Sequence, residues 1–207
     1  MNKGPQFTVE FPLEDGRRLR NRSDGQVTVE PVRQFDADGL ISTHNADFLD
    51  DAAFRRAYDA GVRTGHRLGA PEALHIEWRV YVCCWAAAHA ARLAGDFVEC
   101  GVSSGIVSRA VVDYVGFEQL DKRFLLFDTF AGIPEAQMSE AEKPLALSKN
   151  ERHYFDCFDQ VAETFAPWPN VALVKGAVPE SLADADIATV AYLHIDMNIA
   201  YPEVAAS

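Results

Sequence analysis

The amino-acid sequence predicts an α/β fold built on a mostly parallel sheet. From Asp96 onward, short apolar runs alternate with segments of helical period, a glycine-bearing turn follows the first run, and an acidic residue closes the second. Strands and helices in that rhythm require parallel pairing with right-handed crossovers.

Residues 1–45 read as peripheral. Phe7, Val9 and Phe11 alternate with polar neighbours, as do Val27 and Val29, which predicts two short strands. Between them Arg17, Arg18, Arg20 and Arg22 lie beside Asp15, Gly16, Asp24 and Gly25 and read as a solvated turn. Asp47 is placed to cap a helix running through Phe48, Leu49, Ala52, Ala53 and Tyr58 to about Val62. Pro71 opens a second helix. Its Ile76, Val80, Cys83, Ala87 and Ala91 fall at helical spacing, and Trp78, Val82 and Trp85 widen the stripe, so more than one side is buried. Gly95 ends it.

The alternating region follows. Phe97–Cys100 is the first strand, and Ser103 or Ser104 caps a helix carrying Ile106, Val107, Ala110, Val111 and Tyr114. Phe124–Phe127 is a continuous apolar run, as expected of a strand covered on both faces. Segment 129–150 shows no period, and loops of that length are functional lids or disordered. A helix over about 151–166 presents Tyr154, Phe158, Val161 and Phe165 on one face. Val171–Val174 and Val190–Ile195 are the third and fourth strands. The chain stops at Ser207, directly after the fourth; an apolar edge there is an aggregation hazard that proteins normally cover, so the sequence reads as cut short. These elements divide into an extension, 1–70, and an α/β domain, 71–207.

A length of 207 residues supports one main domain with an extension. Lys and Arg number 19 against 31 Asp and Glu, a net charge of -12. A field of that sign repels phosphate backbones and anionic membrane surfaces, which argues against nucleic acid and membrane as partners. Cys83, Cys84, Cys100 and Cys157 form no C-x-x-C pair and read as free, mostly buried thiols of a reducing compartment. No signal-peptide pattern opens the chain and no stretch is long enough to span a bilayer, so the expectation is a soluble cytoplasmic protein.

In an open parallel sheet, ligands bind outside the carboxyl ends of the strands, where strand order reverses. The residues at those ends are therefore the site candidates. After the first strand comes Glu99-Cys100-Gly101-Val102-Ser103-Ser104-Gly105. Gly101 allows a sharp turn and close approach to a ligand, Gly105 lets the helix pack near it, and the helix start offers N–H groups to an anion. Asp128, followed by Thr129, ends the second strand and can accept from ribose hydroxyls. Gly176 and Ala177 offer backbone after the third, while Lys175 reads as a solvated strand-end lysine. Asp196-Met197-Asn198 follows the fourth. A dinucleotide fingerprint needs G-x-G-x-x-G; the pattern here is E-x-G-x-x-x-G, which suits S-adenosylmethionine and disfavours a nicotinamide-dependent oxidoreductase. His194, alternating with Leu193 and Ile195, reads as a core histidine, and His153 lies near the lid.

Four segments then occur in order: Gly95–Val102 (GDFVECGV), Phe127–Pro134 (FDTFAGIP), Val174–Leu182 (VKGAVPESL) and Leu193–Asn198 (LHIDMN). Together they resemble the macrocin O-methyltransferase family of class I methyltransferases, over a stretch from about Trp78 to the last residue. The resemblance implies a Rossmann-like class I sheet, incomplete at its C-terminus. It implies S-adenosylmethionine as methyl donor, a hydroxyl of a sugar or glycosylated natural product as acceptor, and a divalent metal, usually Mg2+. By motif position Glu99, Gly101 and Gly105 correspond to the donor loop and Asp128 to the ribose ligand. Val102, Ser103, Thr129, Gly176 and Ala177 complete the cofactor-binding candidates. Asp196 corresponds to a metal-binding aspartate.

Two departures stand out. The family's Asp-Asp pair after a fifth strand has no counterpart in this sequence, so metal binding is expected to be weak or absent. Ser103-Ser104-Gly105-Ile106 stands where the family often carries an aromatic residue, Arg and two glycines. No catalytic base is assigned. A competing expectation is an inactive methyltransferase-like domain kept for homo-oligomeric assembly through the Trp- and Ala-rich helix at 76–93.

Overall fold

The computed structural model describes the backbone of residues 10–12, 17–21, 26–31, 34–70 and 74–207. Phe7 and Val9 lie outside the described residues, as does Pro71. The chain forms two compact units, Met1–Asp47 and Phe48–Ser207. The first long helix therefore belongs with the larger unit, whereas the sequence pattern placed the boundary after residue 70.

The smaller unit holds an antiparallel meander of β1 (Glu10–Pro12), β2 (Arg17–Asn21) and β3 (Val27–Pro31). Arg17, Arg18 and Arg20 of the basic run expected as a turn thus lie on the middle strand, with Arg20 in register with Glu10 and Arg18 with Glu30, while Arg22 lies outside the described residues. Ladders on both sides satisfy its N–H and C=O groups, which no polar turn could do as fully. A hairpin of β4 (Phe35–Ala37) and β5 (Leu40–Ser42) follows. Asp38 and Gly39 turn it with φ of 49° and 78°, the paired positive angles that suit the strands' twist.

The larger unit runs α1 (Ala52–Val62), α2 (Glu77–Ala90), β6 (Asp96–Cys100), α3 (Ile106–Val115), β7 (Phe124–Asp128), α4 (Lys143–Arg152), α5 (Phe158–Phe165), β8 (Val171–Lys175), β9 (Val190–Ile195) and α6 (Ala200–Ala206). All four strands expected here are present. They pair in parallel in the order β8-β7-β6-β9, so the direction of sheet growth reverses between β6 and β9. The fourth strand leads into a helix, α6, which the sequence pattern did not reveal. No helix among the described residues is long and apolar enough to cross a membrane.

Helix ends differ from the sequence expectation for local reasons. Asp47 opens a 3-10 turn, its backbone N–H and side chain both engaged with Asn45. Asp51 caps α1 instead, accepting from the Phe54 N–H at 2.8 Å. Helix α2 begins only at Glu77. Neither Ser103 nor Ser104 caps α3; Gly105, at φ 89°, precedes it, and the Ser104 hydroxyl is buried 3.1 Å from that of Thr64. Segment 129–150 contains most of α4, a helix with Ala146 as its one fully buried residue and hence no apolar stripe to read. The helix expected over 151–166 is two: α4 ends at Arg152 and α5 starts at Phe158.

Side chains alternate across the central strands. Phe97, Phe124, Leu126 and Tyr192 face a core shared with α1, α2, α3 and α5. Val98, Cys100, Leu125 and Phe127 face the return from β8 to β9, covered by Val178, Leu182 and Ile187. With both faces covered, β6 and β7 need continuous apolar sequence.

Helices α1 and α3 cross closely at Gly61, where an added Cβ would overlap the carbonyl oxygen of Ile106 and reach 3.3 Å from the Ala110 Cβ. Helix propensity alone favours Gly61→Ala by about 1 kcal/mol. Overpacking at this crossing costs about 1–3 kcal/mol. Gly61→Ala is therefore expected to lower the urea midpoint; a raised midpoint would mean the two helices do not touch there.

Candidate functional site

The exits of all four parallel strands converge on one cleft. Gly101 and Ser103 line it after β6, Asp128, Thr129 and Phe130 after β7, Gly176 to Val178 after β8, and Asp196 to Ile199 after β9. Its empty space, counted together with the open solvent at its mouth, is about 590 Å3. It lies where strand order reverses, the place at which open α/β sheets bind ligands.

One carboxylate organises the cleft. Asp128 Oδ2 accepts from the N–H groups of Val102 at 2.6 Å and Ser103 at 2.7 Å, while its Oδ1 accepts from the Phe130 N–H at 2.7 Å. The N–H groups expected to receive an anion from solution thus already hold a protein anion. Thr129 Oγ1 donates to the Gly132 carbonyl at 2.6 Å and closes the next turn. Ser103, Phe130 and Asn198 have φ of 51°, 52° and 65°. These left-handed residues cost about 1–3 kcal/mol each and sit together at the cleft, where such strain is characteristically tolerated.

The glycines act differently from expectation. Gly101, at φ 93°, does make the sharp turn, but an added Cβ would overlap the Asp196 carbonyl. The backbone it approaches is that of the β9 exit. Gly105 gives room to Phe165, whose ring would lie 2.9 Å from a Cβ there. Gly176 donates its N–H to the Asp128 carbonyl at 2.9 Å.

Of the predicted residues, Gly101, Ser103, Asp128, Thr129, Gly176, Ala177 and Asp196 line the cleft; Glu99, Val102 and Gly105 do not. Glu99 is 1% exposed and faces the helices, on the same side of β6 as Phe97. Its Oε1 stands 3.5 Å from Nδ1 of His194 on β9, and its Oε2 has no hydrogen-bond partner among the described residues. Burial opposes a charged imidazole, yet the Glu99 carboxylate, with Cys83 adding to it, outweighs burial and raises His194 to about 11. His194 is half-buried, its side chain 19% exposed, and pairs with Glu99 rather than lining the cleft.

The sequence reading missed the far wall. Tyr154, Phe155 and Cys157 line the cleft from the break between α4 and α5. Burial, then the Asp196 and Asp128 carboxylates, push the Tyr154 phenol up to about 12, so it stays protonated. Asn198 donates to the Tyr154 hydroxyl at 3.2 Å and to Asp196 Oδ1 at 3.3 Å, and accepts from Lys149 of α4. Asn150 grips both the N–H and the carbonyl of Ile133, at 2.8 and 2.9 Å, which fixes α4 to the loop after β7. The period of Tyr154, Phe158, Val161 and Phe165 was a visible signal, but it suggested one helix. His153 is not part of the lining; its Nδ1 lies 3.4 Å from the Arg67 carbonyl. Burial, then Asp128, raises the Cys157 thiol to about 11, and all four cysteines are free.

Asp196 lies at the β9 exit, where Glu203 of α6 accepts from the Met197 and Asn198 N–H groups at 3.0 and 2.7 Å. Among the described residues no three His, Cys, Asp or Glu side chains gather closely enough to hold a metal ion.

Fold and cleft together define an α/β domain on a parallel four-stranded sheet, with a cleft where strand order reverses. A family model described as macrocin-O-methyltransferase (TylF) matches residues 80–205, more than half of the chain, and the chain belongs to that family. Among solved structures it is similar to that of the O-methyltransferase NovP, at 20% identity and a TM-score of 0.49 over 69% of this chain and 61% of that one. The chain thus spans about three-fifths of the length of that structure. No curated protein matches the chain.

Two outcomes test this geometry. Asp128→Asn leaves one oxygen for three N–H donors, and hydrogen bonds to a charged group contribute about 1.5–3 kcal/mol each. Amide exchange at Val102 and Ser103 is expected to accelerate at least tenfold, and unchanged protection would remove the clamp. His194 concerns pH. A folded-state pKa raised from 6.5 to about 11 stabilises fully below the unfolded value and is lost as pH rises through the folded one. Urea midpoints should therefore fall between about pH 6.5 and 11, and His194→Gln should flatten that slope.

Proposed function

We propose that the chain is a methyltransferase domain that binds S-adenosylmethionine in this cleft and methylates a hydroxyl of a sugar or glycosylated small molecule. The observation that carries the reading is the Asp128 clamp. It ties the glycine turn after β6 to the exit of β7 at the switch point, beside an open cleft.

The residues present fit such a donor. The backbone from Gly101 to Ser103 and from Gly176 to Ala177 lines the space without large side chains. Asp128 accepts from three N–H groups, and the Thr129 hydroxyl lies 3.3 Å from its Oδ1, so a ribose hydroxyl reaching this carboxylate would compete with Thr129. Glu99, Val102 and Gly105 support the turn from behind. When bound, the donor supplies a methyl group on a sulfonium, which leaves as the acceptor oxygen attacks in line. The protein's task is then mostly to orient and to exclude water. Asp196 accepts only from Asn198 among the described residues, and so can take the proton that the attacking hydroxyl loses. Tyr154, held protonated, can donate to a ligand oxygen. No step is assigned to a metal.

A second reading, an inactive domain kept for assembly, draws on the exposed Val82 and Trp85 of α2 and Leu93 just beyond it.

Calorimetry with the demethylated product, S-adenosylhomocysteine, separates the two. One-to-one binding in the micromolar range is expected, weakened at least tenfold by Asp128→Ala, with no heat from Mg2+ alone. A folded protein that ignores S-adenosylhomocysteine sinks the methyltransferase reading, and tight Mg2+ binding sinks the metal-free one.

A further inference from the structure

A second depression adjoins the cleft. It is wider and shallower, with about 1440 Å3 of space largely open to solvent, and it shares Pro134, Gln137 and Ala177 with the first. We propose that this groove seats the acceptor and selects polyhydroxylated molecules that are neutral or amine-bearing over those carrying a carboxylate or phosphate. This rests on the donor reading above, since an in-line displacement requires the acceptor oxygen to enter from a space continuous with the donor's.

The groove's chemistry suits a sugar ring. Ala136, Met138, Ala200 and Tyr201 provide apolar surface, and the Tyr201 ring, 52% exposed, is available to the C–H face of a glycoside. Gln137 stands at the junction. Its Nε2 donates to the Val178 carbonyl at 2.8 Å and lies 3.4 Å from Glu180 Oε2, which leaves its Oε1 to accept from a ligand hydroxyl.

The charge is one-sided. Glu142 and Glu180 line the groove, and no Lys, Arg or His does. Glu142 is a fixed anion: one oxygen accepts from the Ser139 hydroxyl at 2.5 Å and the Ser139 N–H at 3.0 Å, the other from the Ala200 N–H at 2.8 Å. These bonds also pin the segment before α4 to the start of α6, so the wall is preformed. Neighbouring amines are committed elsewhere, Lys143 to Glu140 and Lys149 to Asn198. An anionic acceptor would meet two carboxylates with no counter-charge, which disfavours it over a neutral isostere.

The test uses the full chain saturated with S-adenosylhomocysteine and three probes differing in charge: phenyl β-D-glucopyranoside, its 2-amino-2-deoxy analogue and phenyl β-D-glucuronide. Calorimetry is expected to rank the first two at least tenfold above the glucuronide. Ala136→Trp, at an exposed position lining only the groove, should abolish glycoside binding while S-adenosylhomocysteine affinity stays within twofold. Glu180→Lys should shift preference toward the glucuronide. The proposal is overturned if no glycoside binds, if the glucuronide binds as well as the others, or if Ala136→Trp has no effect. In each of those cases a retained S-adenosylhomocysteine signal leaves the donor reading standing, and its loss in the wild-type chain overturns both.

Discussion

The carboxylate of Asp128 is the constraint on which the cleft depends. It accepts three N–H groups from two different loops, so the turn after β6 and the turn after β7 cannot move independently. Because the acceptor is ionised, these bonds are stronger than neutral ones, and they hold Ser103 and Phe130 in left-handed conformations that neither residue would choose alone. Release of that anchor would let both turns relax toward ordinary angles, and the cleft would lose two of its four walls.

The other walls follow from packing. Gly101 lets the β9 exit come close enough for its carbonyl to occupy the space of a side chain, which places Asp196 at the cleft. Asn198 then links that exit to α4 and Tyr154, and Asn150 links α4 to the loop after β7. A largely polar helix is thus held by side-chain amides together with a small apolar cluster of its Ala146 with Ile133, Met138 and Ile199. Elements attached in this way open more readily than core strands, which fits a position over a ligand site.

Glu99 shows how a motif position can be right about place and silent about direction. Its strand register turns it toward the helices, where an imidazolium balances it, instead of toward the strand ends. A charge buried this deeply is costly without such a partner, and His194 supplies one from the neighbouring strand across the switch point. The pair therefore joins the two strands whose divergence creates the cleft.

The sequence by itself determined the four parallel strands and their order of succession, because β6 and β7, covered on both faces, must be continuously apolar, and the sheet-edge strands β8 and β9, with exposed residues among them, still carry apolar runs at Val171 and Val190. It also placed the cleft, since strand ends at a reversal of order are a property of topology. Other features belonged to tertiary structure alone. The partner of the N–H groups at Val102 and Ser103 lies 26 and 25 residues away on another strand, beyond the reach of any local cap signal. Helix α4 shows little apolar period because it buries only Ala146 in a small cluster and is otherwise held by hydrogen bonds, and the basic strand β2 draws its order from ladders on either side. Local periodicity records what an element buries, whereas contacts between loops distant in sequence leave no period to read.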